Sequence, residues 1–187
     1  MAYKNFIKKS GGGGHGDLCY YPLLFKALTE LKGTILELGT GYGSTWILND
    51  FVTKFKDYKL HSYEEKREWL EKFTHLNSAN HELNFVTDWR EVKRKHPDAE
   101  IIFVDHAPGE DRKEIIQEYK DTKGIVVCHD TEPAADYGYQ MRQYFSLFKY
   151  VVEVKTDGAW ATALSNEIDL TKWIGEVGPY QISEWTR

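Results

Sequence analysis

An α/β fold is predicted for this chain: a mostly parallel seven-stranded sheet with helices on both faces and a C-terminal antiparallel hairpin. Three observations predict it. Five apolar runs of strand length alternate with helical patterns, which implies right-handed crossovers and a parallel sheet. Two of those runs, IIFV and GIVV, are continuously apolar, as strands covered on both sides must be. Asp157-Gly158, a tight-turn dipeptide, separates two final strand-like runs.

The elements follow in order. Residues Tyr20 to Leu31 read as a helix ahead of the first strand. The parallel strands are expected at Thr34–Leu38, Leu60–Tyr63, Leu83–Val86, Glu100–Val104 and Gly124–Cys128. Trp69, Leu70, Phe73 and Leu76 share one helical face after the second strand. Tyr137, Met141, Phe145 and Phe148 share another after the fifth. Tyr150–Lys155 and Ala159–Ser165 then form the hairpin that brings the strand count to seven. Trp173, Tyr180 and Trp185 fall in a tail with no clear period, to which no element is assigned.

With 187 residues and no internal repeat, a single domain is expected. Its parts are an N-terminal tail or lid (1–19), a core (20–165) and a C-terminal extension (166–187). The N-terminus carries lysines but no hydrophobic stretch of signal-peptide type. No apolar run reaches the roughly 18 residues that span a bilayer, so no membrane partner is expected. The two cysteines, Cys19 and Cys128, lack metal-type spacing and fit a reducing, cytoplasmic setting. The formal charge of −5 and the lack of a basic stripe argue against a nucleic-acid partner.

The chemistry begins at ILELGTGYGST, where Gly39, Gly41 and Gly43 follow the first strand. A phosphate-binding P-loop needs a lysine after its glycines, and none occurs between Gly33 and Lys54. A dinucleotide site prefers G-x-G-x-x-G, which this spacing does not meet. Glu64 closes the second strand, where an α/β nucleoside site needs a carboxylate for ribose hydroxyls; a surface acid is the plainer alternative. Asp88-Trp89 follows the third strand, and Asp88 equally suits a helix N-cap.

The segment Glu37-Leu-Gly39-Thr-Gly41-Tyr-Gly43 resembles the E-x-G-x-G-x-G motif of class I S-adenosylmethionine-dependent methyltransferases, over roughly residues 20–165. The resemblance implies a Rossmann-like sheet and S-adenosylmethionine as cofactor. It implies cofactor contacts at Glu37, Gly39, Thr40, Gly41, Gly43, Ser44, Glu64, Asp88, Trp89 and Asp105.

The fourth and fifth strands end in Asp105-His106 and His129-Asp130-Thr131 at one sheet edge. Two carboxylates beside imidazoles can hold a divalent cation. The arrangement is similar to metal-dependent O-methyltransferases of the catechol and sugar types. That resemblance implies Asp105 and Asp130 as ligands of Mg2+ or another divalent cation. Thr131 and Pro108 depart from the catechol-type pattern, which carries Asn and Lys there. His106 and His129 are both candidates for general base. Thr131 and Asp111 are expected to cap and satisfy backbone, and Trp160 either lines an acceptor pocket or packs in the core.

The expected activity is methyl transfer to the hydroxyl of a small-molecule acceptor. An N- or S-methyltransferase and a non-catalytic cofactor-binding module are the alternatives. The tail aromatics and hairpin edge offer surface for a homodimer. The tract Gly11–Gly14 with His15, Asp17, Tyr20 and Tyr21 reads as a lid or as a linker.

Overall fold

The computed structural model describes residues 18–186. Its spine is one nine-stranded sheet in the order β3-β2-β1-β4-β5-β7-β6-β9-β8. Strands β1 (Gly33–Leu38), β2 (Tyr58–Glu64), β3 (His81–Phe85), β4 (Ile101–Val104) and β5 (Ile125–His129) are parallel. Strand β7 (Trp160–Ser165) inserts antiparallel between β5 and β6 (Tyr150–Lys155), pairing with both. The chain order of strands reverses direction between β1 and β4, so the sheet has a crevice at the carboxyl ends of these two strands.

Helix α1 (Tyr21–Glu30) precedes β1, and α2 (Ser44–Lys54) follows it. These two pack on one face of the sheet, over Ile35, Ile101, Phe103 and Val127. Helices α3 (Arg67–Leu70), α4 (Arg90–Lys95), α5 (Arg112–Glu118) and α6 (Pro133–Tyr139) follow β2, β3, β4 and β5. The opposite face buries Leu36, Leu38, Ile102, Val104, Val126 and Cys128 beneath Val92, Ile115, Ile116 and Phe145. Neighbouring residues of one strand thus enter two different cores, which explains the unbroken apolar runs.

The fold class matches expectation, with three differences. Among the described residues the strand count is nine rather than seven, because the unassigned tail forms β8 (Gly175–Val177) and β9 (Tyr180–Glu184), and β9 pairs with β6. Short strands interrupted by Gly178 and Pro179 leave little periodicity to detect. The helix expected over Trp69–Leu76 breaks into α3 and a 3-10 turn at Thr74–Leu76, though Leu70, Phe73 and Leu76 are all buried. Tyr137 does not share the buried face of Met141, Phe145 and Phe148. Helix α6 stops at Gln140, whose left-handed conformation (φ 54°) resets the helical phase, and Tyr137 is left 91% exposed. Among the described residues no helix is long and apolar enough to cross a membrane.

Candidate functional site

Every motif singled out in the sequence, except the tract before Leu18, lies at the carboxyl edge of the parallel strands. The lid residues His15 and Asp17 and the tract Gly11–Gly14 lie outside the described residues. Tyr20 and Tyr21 do reach the edge: the Tyr21 hydroxyl donates to Gly43 O at 3.4 Å, and the Tyr20 ring sits edge-on to His129 at 4.9 Å between centroids.

The glycine loop connects β1 to α2, and its three glycines serve different ends. Gly39 has φ +95°, and a Cβ there would lie 2.5 Å from His106 Cα and 2.6 Å from Asp105 O. Only glycine lets β1 and β4 close at that point. At Gly43 a Cβ would meet the Tyr20 hydroxyl at 2.5 Å. At Gly41 the nearest atom would be Ser44 Oγ at 3.6 Å, an ordinary contact. Among the described residues, packing demands glycine at position 39, where the obstacle is backbone, and crowds position 43, where it is the Tyr20 side chain, but leaves space beside Gly41.

Glu64 is buried and holds the loop. Its Oε2 accepts from Thr40 N and from Thr40 Oγ1, each at 3.1 Å, and its Oε1 accepts from Lys66 N at 3.0 Å. Trp69 Nε1 donates to Thr40 O at 2.7 Å, so Thr40 is gripped from both sides. Glu37 lies beneath the loop at 0% exposure, accepting from Thr45 Oγ1 at 2.9 Å and hydrogen-bonded to Ser62 Oγ at 2.5 Å. Burial pushes its carboxyl up to about 7 against the pull of the Ser44, Ser62 and Thr45 hydroxyls.

Asp88 behaves as a capping residue. Its Oδ1 accepts from Arg90 N at 3.0 Å, and it pairs with Arg94 at 3.3 Å. Trp89 is buried and stacked on His106, with centroids 4.3 Å apart, so one face of the indole is already covered.

At the ends of β4 and β5, Asp105, His129 and Asp130 bring ligand-type atoms within 4.8 Å of one another. Arg112, from the first turn of α5, enters this cluster. Its guanidinium lies 3.1 Å from Asp105 Oδ1 and 3.2 Å from Asp130 Oδ2, and it donates to the carbonyls of His106 (2.7 Å) and His129 (3.2 Å). His129 Nδ1 lies 3.2 Å from Asp105 Oδ1 and 3.5 Å from Asp130 Oδ1. Burial opposes charge on His129, but the Asp105 and Asp130 carboxylates outweigh it and hold the imidazole well above its ordinary pKa. Burial likewise works against ionised Asp105, yet the His129 and Arg112 charges keep its carboxyl below the usual range. Asp130 is raised, chiefly by burial and then by the Asp105 charge, against the pull of His129 and Arg112. Two carboxylates thus face two cations of the chain itself. Asp130 also takes a left-handed backbone conformation, φ 55°, one that Asp tolerates better than most residues.

His106 is fully enclosed, and burial together with the Arg112 charge lowers it to about 3. It does not join the cluster that His129 forms. Thr131 satisfies local structure as expected, with its hydroxyl 2.9 Å from Thr162 Oγ1. Asp111 departs from expectation: it stands at the N-cap of α5 but makes no side-chain capping bond. Trp160 is half-buried, flanked by Arg142 and Lys155. Sequence reasoning missed Arg112, because GEDRKE reads as a solvated charge run. It also missed Ser62 and His81, whose only signal was polarity at positions inside a strand.

No protein-family model matches the sequence, and no curated protein matches it. Solved structures do resemble the fold. A precorrin-6y C5,15-methyltransferase from Geobacter metallireducens GS-15 aligns over 78% of this chain and 86% of its own, at 15% identity and TM-score 0.57. A probable spermidine synthase from Corynebacterium glutamicum ATCC 13032 aligns over 98% of this chain and 75% of its own, at 13% identity and TM-score 0.62. The METTL16 MTase domain aligns over 80% of both chains, at 12% identity and TM-score 0.54. The chain therefore has the Rossmann-like methyltransferase fold.

Proposed function

We propose that this protein is an S-adenosylmethionine-dependent methyltransferase acting on the hydroxyl of a small molecule. The observation that carries the reading is the glycine loop at the strand-order switch, with open space beside Gly41 and carboxylates at Glu37 and Glu64. Gly39, Thr40, Gly41 and Gly43 would bring backbone to the cofactor. Glu64 would meet ribose hydroxyls with the acceptor capacity that Thr40 and Lys66 leave free. Ser44 would act through Glu37, its hydroxyl partner. Asp88 and Trp89 stand at the adenine end and Asp105 at the methionine end. The cofactor would supply a methyl group already activated as a sulfonium, so the chain's task is alignment and exclusion of water.

A divalent cation does not fit the residues present. Asp105 Oδ1 and both Asp130 oxygens are engaged by Arg112 and His129 at 3.1–3.5 Å, and these two side chains already bring the positive charge a cation would. Proton removal from the acceptor falls to the Asp130 carboxylate, whose side chain is 28% exposed, with Arg112 and His129 orienting it. His129 already holds its proton, and His106 is enclosed.

An amine acceptor is the second reading, favoured by the two partly exposed carboxylates, Asp105 and Asp130, that could receive an ammonium. A pH–rate profile separates them. An amine must lose its own proton, so its rate climbs through the alkaline range. A hydroxyl with Asp130 as base gives a rate that levels off in the acidic to neutral range.

The cofactor test uses Gly41→Ala. The substitution meets no close atom, so stability should stay within about 0.5 kcal/mol of wild type. Calorimetry should show micromolar binding of S-adenosylmethionine by wild type and a loss of about tenfold or more in the variant. Equal binding by both, or none by wild type at millimolar ligand, would sink the proposal. Transfer of labelled methyl to a low-mass product would exclude a purely non-catalytic binding module.

A further inference from the structure

Beneath the glycine loop a chain of hydrogen bonds crosses β1, β2 and β3. Gly41 N–H donates to Thr45 Oγ1 at 2.8 Å, and Thr45 donates to Glu37 Oε1 at 2.9 Å. Ser62 Oγ lies 2.5 Å from Glu37 Oε2 and 2.9 Å from His81 Nε2. His81 Nδ1 lies 3.0 Å from Asn49 Oδ1, returning the chain to α2. Glu37, Thr45, Ser62 and His81 are all at 0% exposure. An unmade hydrogen bond costs about 1–3 kcal/mol in such a place, so each proton must have a position.

With the Asn49 oxygen facing His81 Nδ1, two assignments satisfy every atom. Thr45 receives the Gly41 N–H, so its own proton goes to Glu37. If His81 is neutral, Nδ1 donates to Asn49 and Nε2 needs a donor. Ser62 supplies its single proton, and Ser62 Oγ then accepts from Glu37, which is a carboxylic acid. In the second assignment two protons have moved. The Glu37 O–H bond breaks and its proton joins Ser62 Oγ, while the Ser62 proton passes to His81 Nε2. Glu37 becomes a carboxylate and His81 an imidazolium, with no proton gained or lost overall.

We propose that Ser62 and His81 form a proton relay that matches the charge of Glu37 to that of the ligand in the glycine loop. With the cationic sulfonium bound, Glu37 is a carboxylate. With the neutral demethylated product, or no ligand, Glu37 is an acid. Ser62 and His81 are positioning residues here, acting on the ligand through Glu37. The proposal rests on the reading of the loop as an S-adenosylmethionine site.

The physical basis is the low effective dielectric around a fully buried group, where a nearby positive charge strongly favours the ionised acid. The surroundings set the resting state. Asp105 from the end of β4 and Tyr20 ahead of α1 face Glu37, and Asp105 opposes its ionisation. His61 on β2 opposes charge on His81, and is itself flanked by Glu82 and His96. Burial further lowers His81 to about 4 and raises Glu37 to about 7, so without a ligand the neutral pair is favoured over the ion pair and keeps its proton below pH 7. The relay thus favours the methyl donor over its product, which helps the product leave.

The test combines spectroscopy on wild type with a binding ratio. In protein labelled with 15N-histidine, His81 should report a neutral Nδ1–H tautomer when free or bound to S-adenosylhomocysteine, and an imidazolium with S-adenosylmethionine. In His81→Phe the ratio of product Kd to donor Kd should fall about tenfold, the equivalent of one pKa unit of coupling. Ser62→Ala should do the same, and a general loss of packing would weaken both ligands alike. If both ligands bind, the ratio is unchanged and His81 stays neutral throughout, the relay falls and the cofactor reading stands. If wild type binds neither ligand, both fall.

Discussion

The carboxyl edge of this sheet holds two acidic centres that solve burial in opposite ways. Under the glycine loop, Glu37 is surrounded by the hydroxyls of Ser44, Thr45 and Ser62, and among the described residues no cation pairs with it. At the ends of β4 and β5, Asp105 and Asp130 are matched by Arg112 and His129. The first centre keeps a proton that can move. The second balances its carboxylates with the chain's own cations and leaves no place for a divalent one. Acids in the two places look alike in the sequence, yet among the described residues only the Glu37 centre lacks a cation of the chain's own.

The largest effect should come from removing the cation of the second centre. Arg112→Met leaves two carboxylates without their shared partner and should destabilise the fold by about 3–5 kcal/mol in urea denaturation. Added Mg2+ should raise the melting temperature of this variant and leave wild type unchanged. A stabilising response of wild type to Mg2+ would show that Arg112 does not close the site.

The first centre should show itself in the pH dependence of stability. Glu37 has a folded value of about 7 against 4.5 when unfolded, so the folded state binds the extra proton between these values. Its contribution is fully present below pH 4.5 and is lost as pH rises through 7. The loss is of order 3 kcal/mol. Glu37→Gln keeps a neutral group there and should flatten that decline between pH 5 and 8. The second centre works in other windows. Asp105, held low, contributes above its unfolded value and loses that contribution as pH falls through its folded one. His129, held high, loses its contribution as pH rises through its folded value, above the ordinary 6.5. An unchanged slope in Glu37→Gln would mean that Glu37 is ionised throughout.

The smallest effect belongs to an acid outside both centres. Asp88→Ala removes a helix cap and exposed ion pairs, and should cost about 0.5–1 kcal/mol. If Asp88 also holds the adenine end, cofactor affinity should drop in the same variant, measured by calorimetry. A stability loss with unaltered affinity would assign it to capping alone.

The sequence by itself determined the alternation of strands and helices, the doubly covered parallel sheet and the glycine loop. Each of these is local, being written in a run of apolar residues or in three glycines at alternate positions. It also placed Glu37, Glu64, Asp105 and Asp130 near one edge, because parallel strands align their carboxyl ends. Tertiary structure decided what those acids touch. Arg112 reaches Asp130 across 18 positions, and Glu37 meets Ser62 across 25 and His81 through it. It also decided that the tail would add β8 and β9 to the sheet, since three- and five-residue strands carry too little period of their own. Charge balance and proton position in a buried site are set by neighbours distant in the chain, and only folding brings them within hydrogen-bond distance.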